Sequence, residues 1–330
     1  MSEETPPRRD DIHVPDEWNR TEAAFPRDVT LAEAFRGQAA LSPDSSAVVA
    51  GERHLTYEQL DMYSDLIAGA ILQKSRGSTG KDIETGTPIG VCLERGAEAI
   101  AAILGILKTG AAYVPLDPDY PADRTGFIVK NTSLPLIVTS KALLPGLSDI
   151  EDLPVNFVLS DRDSPDMGRA PTGTPPARGA PGDVAYILHT SGSSGDPKGV
   201  ACTNSNVMNI VHYLQTKYPL AVDDRCCLTS NLTFDVSVYE MWSALLYGCT
   251  LYVPDRYTVF SPEDLFAYLH DHRIASAYIP PFFVEEFARF VEEEEMAAPV
   301  KRLLFGVEPI EESLLGRIKR ALPSAHVING

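Results

Sequence analysis

The strongest chemical signal in this chain is the run Thr190, Ser191, Gly192, Ser193, Ser194, Gly195, closed by Pro197-Lys198-Gly199. Four hydroxyls and two glycines leave little side-chain bulk, so backbone N–H groups can converge on an anion. Lys198 adds a point positive charge at the same place. That set of donors suits the outer phosphates of a nucleotide. The spacing is not that of a Walker A loop, which needs the lysine followed by Ser or Thr; here Gly199 follows. A plain Ser/Gly turn is the competing reading. The strand-like run Val184 to Leu188 before the loop and the Pro-Lys-Gly ending after it argue for a built phosphate site.

A second signal is Phe234-Asp235-Val236-Ser237-Val238-Tyr239-Glu240. Asp235 sits among apolar residues where a strand pattern gives way to a helical one. A helix N-cap is one explanation. The other starts from cost: a carboxylate buried between Phe234 and Val236 loses several kcal/mol unless something pairs it. A substrate ammonium is one such partner. Tyr239, one helical turn further on, shares Asp235's face and would line the same cavity. No residue in the chain reads as a nucleophile, a general base or a metal ligand.

Short β-type runs and helical patterns must position these residues. Ala47 to Ala50 and Arg53 to Leu55, around Gly51-Glu52, predict a hairpin. Thr56-Tyr57-Glu58-Gln59 is a capping box opening a helix to about Lys74. The Gly77 to Lys81 stretch imitates a phosphate loop, but no strand precedes it, and it reads as a surface loop. Further on, the pattern predicts strands at 88–93, 112–115, 136–139 and 155–159, with a helix over 97–108. After the phosphate loop it predicts strands at 226–229, 250–253, 275–279, 302–305 and 326–328. Helices are expected at 205–215, 236–247, 262–270, 282–295 and 310–320. This alternation implies an α/β fold of layered, mostly parallel sheets flanked by helices. Residues 1–28 read as a linker, and the Pro/Gly-dense 161–182 as a connection between halves 29–160 and 183–330.

The 330 residues carry a net charge of −18, which disfavours nucleic acid and anionic membrane surfaces, so any nucleotide must be held locally. Five cysteines without C-x-x-C spacing read as reduced core thiols. The charged start MSEETPPRRDD has no apolar stretch of a signal peptide, and the longest apolar run, Ala99 to Leu107, is too short to span a bilayer. A cytoplasmic location is expected.

The run YILHTSGSSGDPKGV resembles the phosphate signature of the adenylate-forming, AMP-binding enzymes, and most of all that of the amino-acid adenylation domains of nonribosomal peptide synthetases. His189 and Ser194 depart from the usual aromatic and Thr. The segments Trp18 to Thr21 with Phe25 to Asp28, Leu55 to Leu60, and LKTGAAYVPLDPDY from Leu107 are similar to other stretches of the same family. The resemblance implies ATP-dependent conversion of an amino acid to aminoacyl-AMP with release of pyrophosphate, then transfer to a phosphopantetheinyl carrier protein among neighbouring synthetase domains. It places Thr190 to Gly195 and Lys198 on the phosphates and Asp235 on the α-ammonium. Val236, Tyr239, Tyr278, Leu303, Phe305 and Gly330 match substrate-pocket positions, and ordinary core packing is the alternative for Val236, Tyr278, Leu303 and Phe305. Gly306, Glu308 and Asn329 match nucleotide contacts, with Val307 replacing a usual Gly. Cofactors implied are ATP and Mg²⁺, the metal's glutamate being expected beyond Gly330. There the family continues into the ribose-binding aspartate, a hinge and a small subdomain with the catalytic lysine. The chain is therefore expected to be a core that is inactive or weakly active by itself. The alternatives are an acyl- or aryl-CoA ligase of the same superfamily and a noncatalytic nucleotide-binding remnant.

Overall fold

Thr30 begins the folded body by capping the helix α1 (Leu31–Leu41): its hydroxyl accepts the Glu33 N–H at 3.2 Å, and the Glu33 carboxylate accepts the Thr30 N–H at 2.8 Å. The computed structural model describes residues 21–79, 82–150, 155–161, 164–168, 178–190, 197–294, 296, 299–306 and 308–329. The expected hairpin forms from β1 (Ser46–Ala50) and β2 (Arg53–Thr56), with Gly51 at φ 55° making the turn. The expected capping box also forms, the Thr56 N–H donating to Gln59 Oε1 at 3.1 Å and the Gln59 N–H to Thr56 Oγ1 at 3.2 Å. It opens α2 (Tyr57–Thr79), which runs on past Lys74 because Leu72 and Ser75 remain buried against the core. Gly77 to Thr79 are therefore helical rather than a surface loop, while Gly80 and Lys81 lie outside the described residues.

Next come β3 (Pro88–Val91), α3 (Ala97–Lys108), β4 (Ala112–Pro115), α4 (Ala122–Thr132), β5 (Leu136–Thr139), α5 (Leu144–Ser148), β6 (Asn156–Leu159) and α6 (Pro165–Gly168). Of these, α4, α5 and α6 were not legible in the sequence: α5 and α6 are one turn or so long, and α4 buries only a narrow stripe at Thr125, Gly126, Ile128 and Val129. The chain continues through β7 (Val184–Thr190), β8 (Lys198–Thr203), α7 (Asn204–Lys217), β9 (Arg225–Cys227) and α8 (Asp235–Leu245). It closes with β10 (Thr250–Tyr252), α9 (Arg256–Phe260), α10 (Pro262–Asp271), β11 (Ser276–Tyr278), α11 (Val284–Glu293), β12 (Arg302–Phe305), α12 (Glu312–Ala321) and β13 (His326–Asn329).

Two sheets result. One has strand order β13-β12-β11-β9-β10-β1-β2, the other β6-β5-β3-β4-β7-β8, and each is parallel except for one antiparallel hairpin strand at its edge, β2 and β8 respectively. The stretches on either side of 161–182 interleave, because β1 pairs with β10 while β7 pairs with β4. A central helical layer, chiefly α2, α3 and α8, packs against both sheets, which explains why α3 is buried on nearly every side. Outside it, α10, α11 and α12 cover the larger sheet, and α4 covers the smaller one. The layering is helix, sheet, helix, sheet, helix, as the alternation of strands and helices implied. No helix among the described residues is long and apolar enough to cross a membrane.

Candidate functional site

Parallel strands bring their carboxyl ends to one edge, and here the loops leaving both sheets meet. The connections after β3 (Leu93, Arg95), β4 (Leu116, Asp117), β9, β11 and β12 line a single cleft of about 490 Å³. Side-chain contacts tie the sheets together across it. Asn231 Nδ2 donates to Asp117 Oδ2 at 2.5 Å, and the Arg256 guanidinium pairs with Asp119. A more open groove of about 860 Å³ between the ends of α11 and α12 contains none of the residues that the sequence singles out.

The β9-to-α8 connection forms one wall of the cleft. Strand β9 stops at Cys227, and beyond it buried side chains take over the backbone's hydrogen bonds. The Arg95 guanidinium donates to the carbonyls of Leu228, Thr229 and Ser230. Glu240 accepts the N–H groups of Thr229 at 2.9 Å and Ser230 at 3.0 Å. Burial pushes the Glu240 carboxyl up, and hydrogen bonds from Thr229 and Ser230 work against that. Burial likewise pushes the Arg95 guanidinium down, opposed by the Glu240 charge.

Asp235 differs from both expectations. It is the first residue of α8 rather than its N-cap, which is Phe234, and it is exposed rather than buried. The reason is geometric: Phe234 itself turns outward, 61% exposed, so no apolar wall closes over the carboxylate. Its neighbours Phe234 and Val236 line the cleft while Asp235 itself stands at its rim, outside the lining, and no described residue makes an ion pair with it. Tyr239 shares Asp235's helical face but reaches into the core, where burial, partly offset by the Arg302 charge, raises its phenol. It does not line the cleft.

Tyr278 and Val236 do line it. Burial first, then the carboxylates of Glu240, Glu308 and Asp235, push the Tyr278 phenol up to about 12. Leu303 and Phe305 fall on the other side of the sheet. The register Ala277↔Leu303 and Tyr278↔Leu304 sends Leu303 and Phe305 into the core under α11 and α12. Phe305 stands 6.5 Å, centroid to centroid, from Phe287. Gly306 is buried at the end of β12, Glu308 reaches the cleft, and Asn329 is exposed at the end of β13 opposite Phe305.

The expected phosphate loop is bracketed by its two ends. Thr190 and Lys198 are direct cross-strand partners in the β7–β8 ladder, both exposed, at the same sheet edge as the cleft. Ser191, Gly192, Ser193, Ser194 and Gly195 lie outside the described residues, as do Val307 and Gly330. Beneath the hairpin, His189 Nε2 lies 3.3 Å from Asn131 Oδ1, and burial with the Arg124 charge pushes its imidazole down. Sequence reasoning missed Arg95, Asp117 and Asn231. For Arg95 a signal existed, a cation directly after the apolar strand β3; Asp117 and Asn231 gain meaning only from being opposite one another.

Comparison with known proteins follows the same outline. The family model described as "AMP-binding enzyme" matches residues 35–330. Gramicidin S synthase 2 of Brevibacillus brevis is 30% identical over 321 residues, which is 96% of this chain and 7% of that synthase. Tyrocidine synthase 3 of Brevibacillus parabrevis is 30% identical over 315 residues, 95% of this chain and 5% of the synthase. Among solved structures, the nonribosomal peptide synthetase FmoA3 in its α-methyl-L-serine-AMP-bound form superposes with a TM-score of 0.82 at 28% identity, over 95% of this chain and 34% of that one. Its AMPPNP-bound form gives 0.80. The chain therefore spans a few per cent of these two synthases and about a third of the solved chain.

Proposed function

Because this chain belongs to the family of AMP-binding enzymes, we propose that it activates an amino acid with ATP, as part of a nonribosomal peptide synthetase. One carboxylate oxygen of the amino acid attacks the α-phosphorus, the bond from that phosphorus to the bridging oxygen breaks, and pyrophosphate leaves. The thiol of a carrier protein's phosphopantetheine then attacks the acyl carbon, AMP departs, and the thiol proton goes to solvent. The first step depends on positioning and charge neutralisation more than on covalent help from the protein.

Thr190 and Lys198, side by side at the sheet edge, suit the pyrophosphate oxygens together with Ser191 to Gly195. Gly306, Glu308 and Asn329, at the ends of β12 and β13, are assigned to the nucleotide on the family resemblance, and of the three Glu308 lines the cleft. Val236 and Tyr278 form the wall for the amino acid, with Tyr239, Leu303 and Phe305 behind it in the core. The observation that carries the reading is Asp235: a carboxylate with no cation partner among the described residues, flanked by two residues of the cleft wall. A substrate ammonium completes it. Among the described residues no three of His, Cys, Asp or Glu stand together to hold the magnesium that the family implies.

The test is ATP–pyrophosphate exchange with each amino acid in turn, on this chain and on one extended past Gly330. Exchange stimulated by one amino acid or a few supports the reading. Exchange stimulated by simple aryl or fatty acids instead would move the chain to the CoA ligases of the superfamily. Nucleotide binding with no acid-dependent exchange in either form would leave a binding role only.

A further inference from the structure

Thr229 is the point where four elements meet. Its hydroxyl lies 2.7 Å from Glu240 Oε1 on α8 and 2.9 Å from the Tyr278 carbonyl oxygen on β11, donating to one of them at a time. Its carbonyl accepts from Arg95, which belongs to the other sheet, and its N–H donates to Glu240. Thr229 is 5% exposed and Glu240 is 3% exposed.

We infer that Arg95 and Glu240 are positioning residues, which clasp the 228–230 segment from opposite sides and so set where Asp235 and Val236 meet the amino acid. Arg95 takes three consecutive carbonyls, and Glu240 takes the two N–H groups between them. Every polar backbone group of that stretch which β9 leaves unpaired thus acquires a charged partner. Burying two opposite charges is a weak route to stability, and apolar packing would hold a loop as well. What charged groups add is direction: each hydrogen bond admits one geometry of the segment. The segment leads straight into Asn231, Phe234 and Asp235, and the Thr229 hydroxyl carries the same constraint to Tyr278 on the facing wall. Neither Arg95 nor Glu240 needs to touch the reacting atoms.

This role rests on the amino-acid-activating reading above. It is tested by steady-state ATP–pyrophosphate exchange, with melting temperatures recorded in parallel, on whichever form of the chain is active. Thr229→Val removes the hydroxyl at nearly constant volume. It should raise the KM for the amino acid about tenfold and leave the KM for ATP unchanged, and Thr229→Ser should restore it. Glu240→Gln puts a donor where only acceptors fit, and should lower kcat/KM for the amino acid by more than about tenfold. If Glu240→Gln does not fold, the Thr229 pair decides alone. A lower melting temperature with an unchanged amino-acid KM would overturn the positioning role, as would an equal rise in both KM values. Absence of exchange by the unmodified protein with any amino acid would instead overturn the parent reading, and the positioning role with it.

Discussion

Asp235→Asn separates recognition of the ammonium from everything else the segment does. The two side chains have nearly the same shape, so the change removes charge and keeps volume. Asp235 is the exposed first residue of α8, where its charge faces the positive end of the helix dipole. Losing that interaction costs the fold about 0.3–1 kcal/mol at most. Losing a charge-assisted hydrogen bond to a substrate ammonium costs about 1.5–3 kcal/mol. At about 1.36 kcal/mol per decade, that is roughly a 10- to 150-fold fall in kcat/KM for the amino acid. The KM for ATP should not move, because Thr190 and Lys198 stand on the other sheet. The assay is pyrophosphate exchange under varied amino acid at saturating ATP, then the reverse, with a urea melt to measure the fold term. A parallel loss of ATP affinity, or an amino-acid kcat/KM within about twofold of the unmodified protein, equivalent to only about 0.4 kcal/mol of transition-state binding, would refute the assignment.

Lys108→Met should cost about 3–5 kcal/mol of stability in urea denaturation, because Lys108 Nζ is fully buried and donates to Asp61 Oδ1 at 2.6 Å and Asp65 Oδ1 at 2.7 Å, which the change strands with only Arg36. Gly105→Ala should cost about 1–3 kcal/mol, since its new methyl would lie 2.9 Å from the Ser64 backbone oxygen and 2.9 Å from Ile67 Cγ2 where α3 crosses α2. Burial, with the Asp117 and Glu94 charges, pushes the Cys92 thiol up to about 12 from 9.0, so its contribution to stability is complete below pH 9 and is lost as the pH rises toward 12. At pH 8, an alkylating reagent followed by peptide mass spectrometry should leave Cys92, Cys226 and Cys227 unlabelled in the native protein and label all five cysteines after unfolding.

Local signals were legible because they act within a few residues. The Thr56–Gln59 capping box and the helix over 97–108 both appear where residue type alone demands them, and the same holds for the strands at 112–115, 136–139 and 302–305. The two chemical stretches stood out in the sequence for the same reason, small residues next to a lysine and a carboxylate beside apolar residues, while Ser191 to Gly195 lie outside the described residues. The order of the elements was enough to imply parallel, layered sheets.

What the sequence could not settle was which way things face. Strand alternation puts Leu303 and Phe305 on one side of β12, but only the register with β11 decides that this side is the core and that the Tyr278 side is the cleft. Asp235 looked buried because its neighbours are apolar; it is exposed because Phe234 points outward, a choice made by packing rather than composition. Arg95 and Glu240 are far apart in the chain, and Asp117 and Asn231 likewise, so the meeting of the first two on residues 228–230 and the pairing of the second two depend on two sheets converging at one edge. By itself, the sequence determined most strands and longer helices and the family resemblance from which the chemistry is proposed. Tertiary structure decided which side chains share a cavity, because that depends on distances between strands that no local rule contains.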